Sequence, residues 1–528
     1  FAIVFVAMSS DQCSDQQTRM LVVMVGLPAR GKSYLSRKLV NYFSWQGSAI
    51  KLFNVGKARR GQDEDKSDAT NQSAAFFAAD NKEAAAYREQ LAMVVLDEAL
   101  RWMVAQGTQQ TLAIFDATNT TVARRKHVAE MVHQFNLQQS HKNQVDVICV
   151  ESICTDEKVL RANMLQKIAS SPDYQSMPQA DAIADLTMRM ANYEKVYQEV
   201  ADEEELVYVK VVNIAKKVIA SNIHGDTEMQ MLAFLVSLHL GQRPVWLVRA
   251  GNCMKTPSRT TTLPAAVFNS APSASDDGDS SPPRPVDAPN GKNVQLDFSD
   301  IEPFLHEGRG RCDKLSKSGI EFSQKLAEVI ASKLQPDERL CIMSSTPKGA
   351  KQTLDPLLQK LGPRADVWRT HSLDKFDLGS PDDLMEKLRS HAERKLFAKD
   401  PFTYRCPGGE SFADLVRRLH YVALRVERSK SPVLVLSHLM PLRTLCAYFQ
   451  GMKVPVSPDL VELPEHSILE LRPGSHGWTS QLIQVTPPQT DLHSRFPHVR
   501  SWRSMCSDSS TADGGLSRAQ STGRVADE

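Results

Sequence analysis

No stretch of the 528 residues is long and apolar enough to cross a bilayer as a helix. The opening run, FAIVFVAM, has no basic flank and is short for a signal peptide or a membrane span. It also lacks a starting Met, so an incomplete gene model is the expected cause, with Met8 a candidate start. A surplus of charge of one sign is missing too. With 63 Lys and Arg against 62 Asp and Glu, the net charge of +1 gives no bulk attraction to nucleic acid or an anionic membrane. There is no CxxC pair and no Cys/His cluster at zinc spacing. The nine scattered cysteines suit a reducing cytosol. Internal repeats are absent.

What remains is an ordinary globular composition, 41% hydrophobic and 24% charged, long enough for two or three domains and a large core. One stretch organises it. Leu21–Ser36, LVVMVGLPARGKSYLS, reads as a buried strand, a glycine-framed loop and the start of a helix. Gly26, Gly31, Lys32 and Ser33 fit G-x-x-x-x-G-K-[ST], the phosphate-binding P-loop. Such a loop turns its N–H groups inward around phosphate oxygens, and the following helix adds its positive end. Lys32 is expected to reach the β- and γ-phosphates, and Ser33 to hold Mg²⁺.

Residues 1–20 read as a disordered lead-in. Further strands are expected at Ile50–Asn54, Thr111–Phe115, Val145–Glu151 and Leu206–Val212, and helices at Ser33–Gly47, Asp80–Gly107 and within 155–200. In the second of these, Leu91, Val94, Val95, Ala99 and Met103 recur near the helical period. Gly61–Gln72 is polar and reads as flexible. Strands alternating with helices behind a P-loop predict an α/β domain over 21–220, a parallel sheet covered on both faces. A second α/β domain spans 221–255 and 294–486, with strands at Arg243–Val248 and Val433–Ser437. Thr256–Asn293, rich in Ser, Pro and Asp, reads as a disordered insertion, and 487–528 as a disordered tail.

Asp116 closes an apolar strand in IFDATNTTVARR. A carboxylate there can reach the Mg²⁺ shell or the hydroxyl that accepts a phosphoryl group; it can also be a helix N-cap. Its company, Thr118, Asn119, Arg124 and Arg125, favours function. Lys57, Arg59, Arg60, Arg88, Lys167 and Arg189 form either one anion pocket or a solvated face; spacing alone leaves both open. SSPDY, Ser170–Tyr174, carries a turn signature and no derivable chemistry.

GLPARGKSY, FNVGKARR, FFAADN, FDATNTT, ESICTD, NMLQKIASSPDY and RMANYEKVY, in this order over about residues 20–220, resemble the kinase half of the 6-phosphofructo-2-kinase/fructose-2,6-bisphosphatase family. The resemblance implies ATP- and Mg²⁺-dependent phosphorylation of the 2-hydroxyl of fructose 6-phosphate in the cytoplasm, and a plausible homodimer. It puts Gly26, Ala29, Arg30, Gly31, Lys32, Ser33, Tyr34, Asn163 and Cys154 around ATP. Ser33 and Asp116 would serve the metal. Arg59, Arg88, Thr118, Lys167, Arg189 and Tyr193 would hold the sugar phosphate, and Lys32, Asp116 and Lys167 would be catalytic. Two neighbours of the pocket depart from the family pattern: Ala58 replaces an aromatic and Val122 an arginine.

The second half resembles the family's histidine phosphatase domain with its reactive groups eroded. The motif R-H-G-E-[SN] reads Arg249-Ala250-Gly251-Asn252-Cys253, so the nucleophilic histidine is Ala250. The family's T-S-Q-x-K-R-T aligns with SSTPKGA and turns a phosphate-binding arginine into Gly349. The acid glutamate falls on Lys375, and Pro401 stands where a substrate lysine is expected. Arg249, YRCPGGESFADLVRRL and SHLMPLR with His438 survive. Loss of phosphatase activity is therefore the expectation. Residual activity through Cys253 or His438, and a non-catalytic sugar-phosphate-binding regulator, are the alternatives.

Overall fold

The computed structural model describes residues 18–63, 74–77, 81–254, 314–379, 396 and 399–486, apart from positions 108, 109, 176, 215, 240, 242, 406, 455–460, 462, 475 and 476. The expected insertion, the expected tail, most of the lead-in and the part of Gly61–Gln72 beyond residue 63 lie outside the described residues.

The first sheet has the order β2-β3-β1-β4-β5-β6. Its strands are β1 (Thr18–Val25), β2 (Ala49–Asn54), β3 (Gln110–Asp116), β4 (Asp146–Ile153), β5 (Tyr208–Val212) and β6 (Lys217–Ser221). β1 already begins at Thr18, inside the stretch read as lead-in. Its side chains split by parity. Met20, Val22 and Met24 enter one core with Leu35 and Leu39, whereas Leu21, Val23 and Val25 enter another with Leu96 and Leu100. Burial on both faces explains the unbroken apolar run. The helices that cover them are α1 (Lys32–Trp45), α2 (Val55–Asp63), α3 (Lys82–Val104), α4 (Val122–Leu137), α5 (Glu157–Ser170) and α6 (Gln179–Glu194).

Three expectations need correction. The sheet is not wholly parallel: β6 pairs antiparallel with β5. The hairpin between them is turned by Asn213 and Ile214 at φ 48° and 46°, without the glycine that signals such a turn. The stretch read as flexible from Gly61 still carries helix α2 as far as Asp63. In α3, Leu91, Val95, Ala99 and Met103 are buried, but Val94 is 56% exposed because it sits one position off the buried stripe.

The second sheet has the order β12-β11-β7-β10-β8-β9, formed by β7 (Val245–Arg249), β8 (Leu340–Ser344), β9 (Ala365–Arg369), β10 (Val433–Ser437), β11 (Ser467–Gly474) and β12 (Gly477–Gln484). β7, β10, β8 and β9 run parallel, and the β11–β12 hairpin adds antiparallel beside β7. Further helices are α7 (Asp226–Ser237), α8 (Lys317–Lys333), α9 (Lys348–Leu361), α10 (Phe412–Arg428) and α11 (Leu439–Gln450).

The two halves share α1 as a wall. Trp45 is fully buried and its Nε1 donates to the Thr444 carbonyl of α11 at 2.7 Å. Tyr42 stacks on Phe234 of α7 at 4.1 Å, and its hydroxyl lies 2.5 Å from His420 Nε2 of α10. Lys38 pairs with the buried Glu427 carboxylate at 2.7 Å. Replacing Trp45 by Phe keeps most of the apolar fill but strands the Thr444 carbonyl. The expected cost is about 1–3 kcal/mol, read as a lower Tm in calorimetry; an unchanged Tm would mean that the carbonyl finds another donor.

Candidate functional site

The site forms beyond the carboxyl ends of β2, β3 and β1, the edge at which open α/β sheets bind ligands. Gly26 follows β1 with φ 135°, and its N–H donates to the Thr118 carbonyl at 2.9 Å. A Cβ at Gly26 would stand 2.6 Å from the Ser152 carbonyl oxygen, so backbone meets backbone and no side chain fits. Ala29 takes the left-handed conformation at φ 60°, and Gly31 caps α1 at φ 96°. The loop is held from outside: Asn163 Nδ2 donates to the Ala29 carbonyl at 3.0 Å, Ser152 Oγ to the Arg30 carbonyl at 2.6 Å, and the Arg30 guanidinium to the Cys154 carbonyl.

Lys32 is 9% exposed and its Nζ donates to the carbonyls of Gly26 and Leu27 at 2.7 and 2.8 Å. Burial lowers this ammonium to about 8 against the pull of Asp116. Ser33 Oγ donates to Asp116 Oδ2 at 3.3 Å. The same oxygen accepts from Asn54 Nδ2 at 2.7 Å. Asn54, at the end of β2, escaped the sequence reading. It faces Asp116 because the β2–β3 register pairs the two residues. The N-cap reading of Asp116 falls away, since Thr121 caps α4.

Beside this centre lies a cationic pocket. Asp173, inside the SSPDY turn to which no chemistry was assigned, gathers three guanidinium groups. Arg59 approaches it at 2.9 Å, Arg189 at 3.4 Å and Arg60 at 3.5 Å. Burial alone would raise the Asp173 carboxyl, but Arg59, Arg189 and Arg60 hold it below the usual range. Phe77 forms the floor. Arg189 lies 3.6 Å from its ring centre, Arg59 5.5 Å and Arg88 5.6 Å, with Tyr193 5.8 Å away ring to ring. Lys167 completes the group. Burial, Arg189 and Lys32 lower its ammonium to about 7, against Asp116 and Asp173.

Several expected members stand elsewhere. Arg125 is 1% exposed and holds Glu204 through two nitrogens at 2.7 and 2.6 Å, a structural tie. Arg124 pairs with Glu89 at 2.5 Å. Asn119 Nδ2 donates to the Met24 carbonyl at 2.8 Å and braces β1. Lys57 is exposed. The Tyr34 side chain leaves the phosphate loop and lines a cavity against the second half, leaving only its backbone in the loop. Ala58 packs against the second core, and Val122 is 36% exposed at the start of α4.

In the second half, Ala250 and His438 follow the adjacent parallel strands β7 and β10, and the Ala250 N–H donates to the Ser437 carbonyl at 2.9 Å. Gly349 opens α9 and is buried. Glu465 occupies the neighbourhood of the old motif. Its carboxylate accepts from Asn252 at 2.6 Å and pairs with Arg249 at 3.6 Å. Cys253 is disulfide-bonded, which departs from the expectation of cysteines kept reduced, so it offers no thiolate. Pro401 is partly buried beside Phe402.

If Asp173 sets the spacing of the three arginines, Asp173→Asn will leave them to repel one another. The expected result is a drop in Tm together with roughly tenfold weaker binding of a sugar phosphate, followed by calorimetry. Unchanged sugar-phosphate binding would reduce Asp173 to scaffolding.

Two family models match successive parts of the chain. The model of the 6-phosphofructo-2-kinase family matches residues 8–242, and that of the histidine phosphatase superfamily (branch 1) matches 306–486. A 6-phosphofructo-2-kinase/fructose-2,6-bisphosphatase of Arabidopsis thaliana is 31% identical over 486 residues, 90% of this chain and 55% of that protein. The chain therefore spans about half the length of this plant relative. A 6-phosphofructo-2-kinase/fructose-2,6-bisphosphatase 4 of Rattus norvegicus is 30% identical over 482 residues, 90% of this chain and 87% of that protein. A probable 6-phosphofructo-2-kinase of Schizosaccharomyces pombe is 30% identical over 534 residues, 92% of this chain and 73% of that protein. With two matching domains in the same order and relatives covered for most of their length, the chain belongs to the 6-phosphofructo-2-kinase/fructose-2,6-bisphosphatase family.

Proposed function

We propose that the first half transfers the γ-phosphoryl group of ATP to the 2-hydroxyl of fructose 6-phosphate, giving fructose 2,6-bisphosphate and ADP, and that the second half has lost the reverse hydrolysis. What supports the kinase reading best is the convergence of Lys32, Ser33 and Asp116 with the pocket of Arg59, Arg88, Lys167 and Arg189.

One anion belongs at each end of that arrangement. The loop from Gly26 to Ser33 takes the nucleotide phosphates, and Lys32 turns from the loop carbonyls to their oxygens. The arginines around Phe77 take the 6-phosphate of the sugar, with Thr118 and Tyr193 beside them. The 2-hydroxyl oxygen then bonds to phosphorus as the bridge to ADP breaks, and the hydroxyl proton leaves toward Asp116 or solvent. Most of the acceleration comes from holding two anions in line and stabilising the charge that spreads over the moving group. The Ser33 hydroxyl and Asp116 carboxylate offer the hard oxygen donors that Mg²⁺ takes, 3.3 Å apart. Bound there, Mg²⁺ would shield the phosphate charge.

Loss of the phosphatase rests on Ala250, whose methyl group cannot accept a phosphoryl group, and on Glu465, whose carboxylate engages Arg249 where a phosphate would need it. Neither alternative nucleophile gains support: Cys253 is disulfide-bonded, and His438 follows β10 whereas the motif's nucleophile position, after β7, is Ala250. A purely regulatory protein would not need the intact Lys32–Ser33–Asp116 set. A homodimer is part of the same reading.

Three outcomes test it. Lys32→Ala should lower kcat for fructose 2,6-bisphosphate formation roughly 10²–10³-fold; near-normal turnover would remove Lys32 from the chemistry. Lys167, lowered to about 7 by burial and its cationic neighbours, loses its proton as pH rises through that value, so KM for fructose 6-phosphate should climb between pH 6.5 and 8. Lys167→Arg keeps its charge and should flatten that climb; an equal slope in both proteins would place the titration elsewhere. Ala250→His alone should not restore hydrolysis of fructose 2,6-bisphosphate, because Gly349, Lys375 and Glu465 remain. A large gain of phosphate release would refute that account.

A further inference from the structure

A cavity of about 490 Å³ lies where the two halves meet. One wall is the face of α1 that carries Tyr34, Arg37 and Lys38. The other comes from the second half, with Arg243 ahead of β7, Glu427 of α10 and Trp478 of the β11–β12 hairpin. None of these residues belongs to the kinase pocket described above, apart from the backbone of Tyr34.

The charges in it do not balance. Three cations, Arg37, Lys38 and Arg243, face one carboxylate, Glu427, among the described lining residues. Glu427 is already engaged: it accepts from Lys38 at 2.7 Å and from the Tyr448 hydroxyl at 2.7 Å. Arg243 is 6% exposed, donates one nitrogen to the carbonyls of Val426 and Glu427, and keeps a buried Nε with no hydrogen-bond partner. A buried guanidinium that retains an unused donor is costly unless an acceptor joins it. His239 Nδ1 and Gln450 Oε1, also lining the cavity, are buried without partners too. The walls between these polar groups are aromatic. The Lys38 ammonium lies 5.3 Å from the Trp478 ring centre and 6.0 Å from that of Tyr34.

A gap left by imperfect docking of two domains would be apolar, or lined by polar groups that satisfy one another. Here the surplus is positive, runs from the buried Arg243 to the exposed Arg37 at the mouth, and is flanked by flat rings. We propose that the cavity is a second ligand site, built for a small dianion, phosphate or dicarboxylate, carried on a flat apolar body. Arg243 and Arg37 would hold the anionic head, and Trp478 and Tyr34 would cover the body. The site stands independently of the kinase reading, because none of its charged residues serves that chemistry.

Titration calorimetry on the full chain tests it with phenyl phosphate, phthalate and inorganic phosphate as probes. Phenyl phosphate or phthalate should bind once per chain, with inorganic phosphate roughly tenfold weaker, and the tighter of the first two identifies the preferred head. Arg37→Ala, an exposed position that folding does not need, should weaken that binding at least about tenfold. Trp478→Ala should weaken the aromatic probes and leave inorganic phosphate unchanged. Arg243→Met should abolish binding, with its Tm measured alongside to confirm folding. Lys32→Ala and Lys167→Ala should leave the probes unaffected. Absence of saturable heat with both aromatic probes overturns the proposal. So does binding that survives Arg37→Ala and Trp478→Ala but is lost with Lys32→Ala or Lys167→Ala, since the probe would then sit in the kinase pocket.

Discussion

Crowded positive charge is the constraint around which the first half is built. Lys32, Lys167, Arg59, Arg60, Arg88 and Arg189 converge on one buried region, and the carboxylates that answer them are Asp116 and Asp173. Burial first, and then the neighbouring cations, lower the two lysines, Lys32 to about 8 and Lys167 to about 7. Two phosphorylated substrates would reverse the balance. The pocket is therefore tensioned for anions before they arrive, which is the preorganisation that phosphoryl transfer relies on. Asp173 keeps the tension tolerable, and Phe77 lets three guanidinium groups share a floor.

How far the site could be read from sequence follows from how local each signal is. The phosphate loop is one continuous stretch, and Asp116 ends a strand whose burial is plain from its composition, so both were legible. Asn54 was not, because only strand register brings it to Asp116. Asp173 looked like turn chemistry, since a turn residue that also serves as a counter-ion has no sequence mark. Arg124 and Arg125 looked like one basic pair. The helix sends one toward Glu89 and the other into Glu204, since neighbours on a helix point about 100° apart. The same rotation parts Ser33, which reaches Asp116, from the ring of Tyr34. In the fold, the alternation of strands and helices was visible, whereas β6 was missed because its turn uses Asn213 and Ile214 in place of glycine.

The second half keeps the fold of its family while Ala250 stands at the motif's histidine position. Its parallel strands still bring Ala250 and His438 side by side, and α10 still opens with a capping box in which Ser411 and Asp414 cap each other. None of this depends on the reactive groups. Packing selects the apolar side chains of β7 and β10, fully buried from Val245 to Val248 and from Val433 to Leu436, and a catalytic histidine at a strand end contributes little to that core. What the second half still supplies is a surface against α1.

That surface turns α1 into a lever. The helix has 14 residues, a stiff rod of about 21 Å. Its far end is clamped by Trp45 in the second half, and its near end carries Lys32 and Ser33. A rod gripped at one end moves at the other only by pivoting about the grip. Any rocking of one half against the other is thereby delivered as a displacement at the phosphate loop, with the mechanical advantage set by the helix length. The second half serves in this way as the fulcrum on which the phosphate loop is aligned.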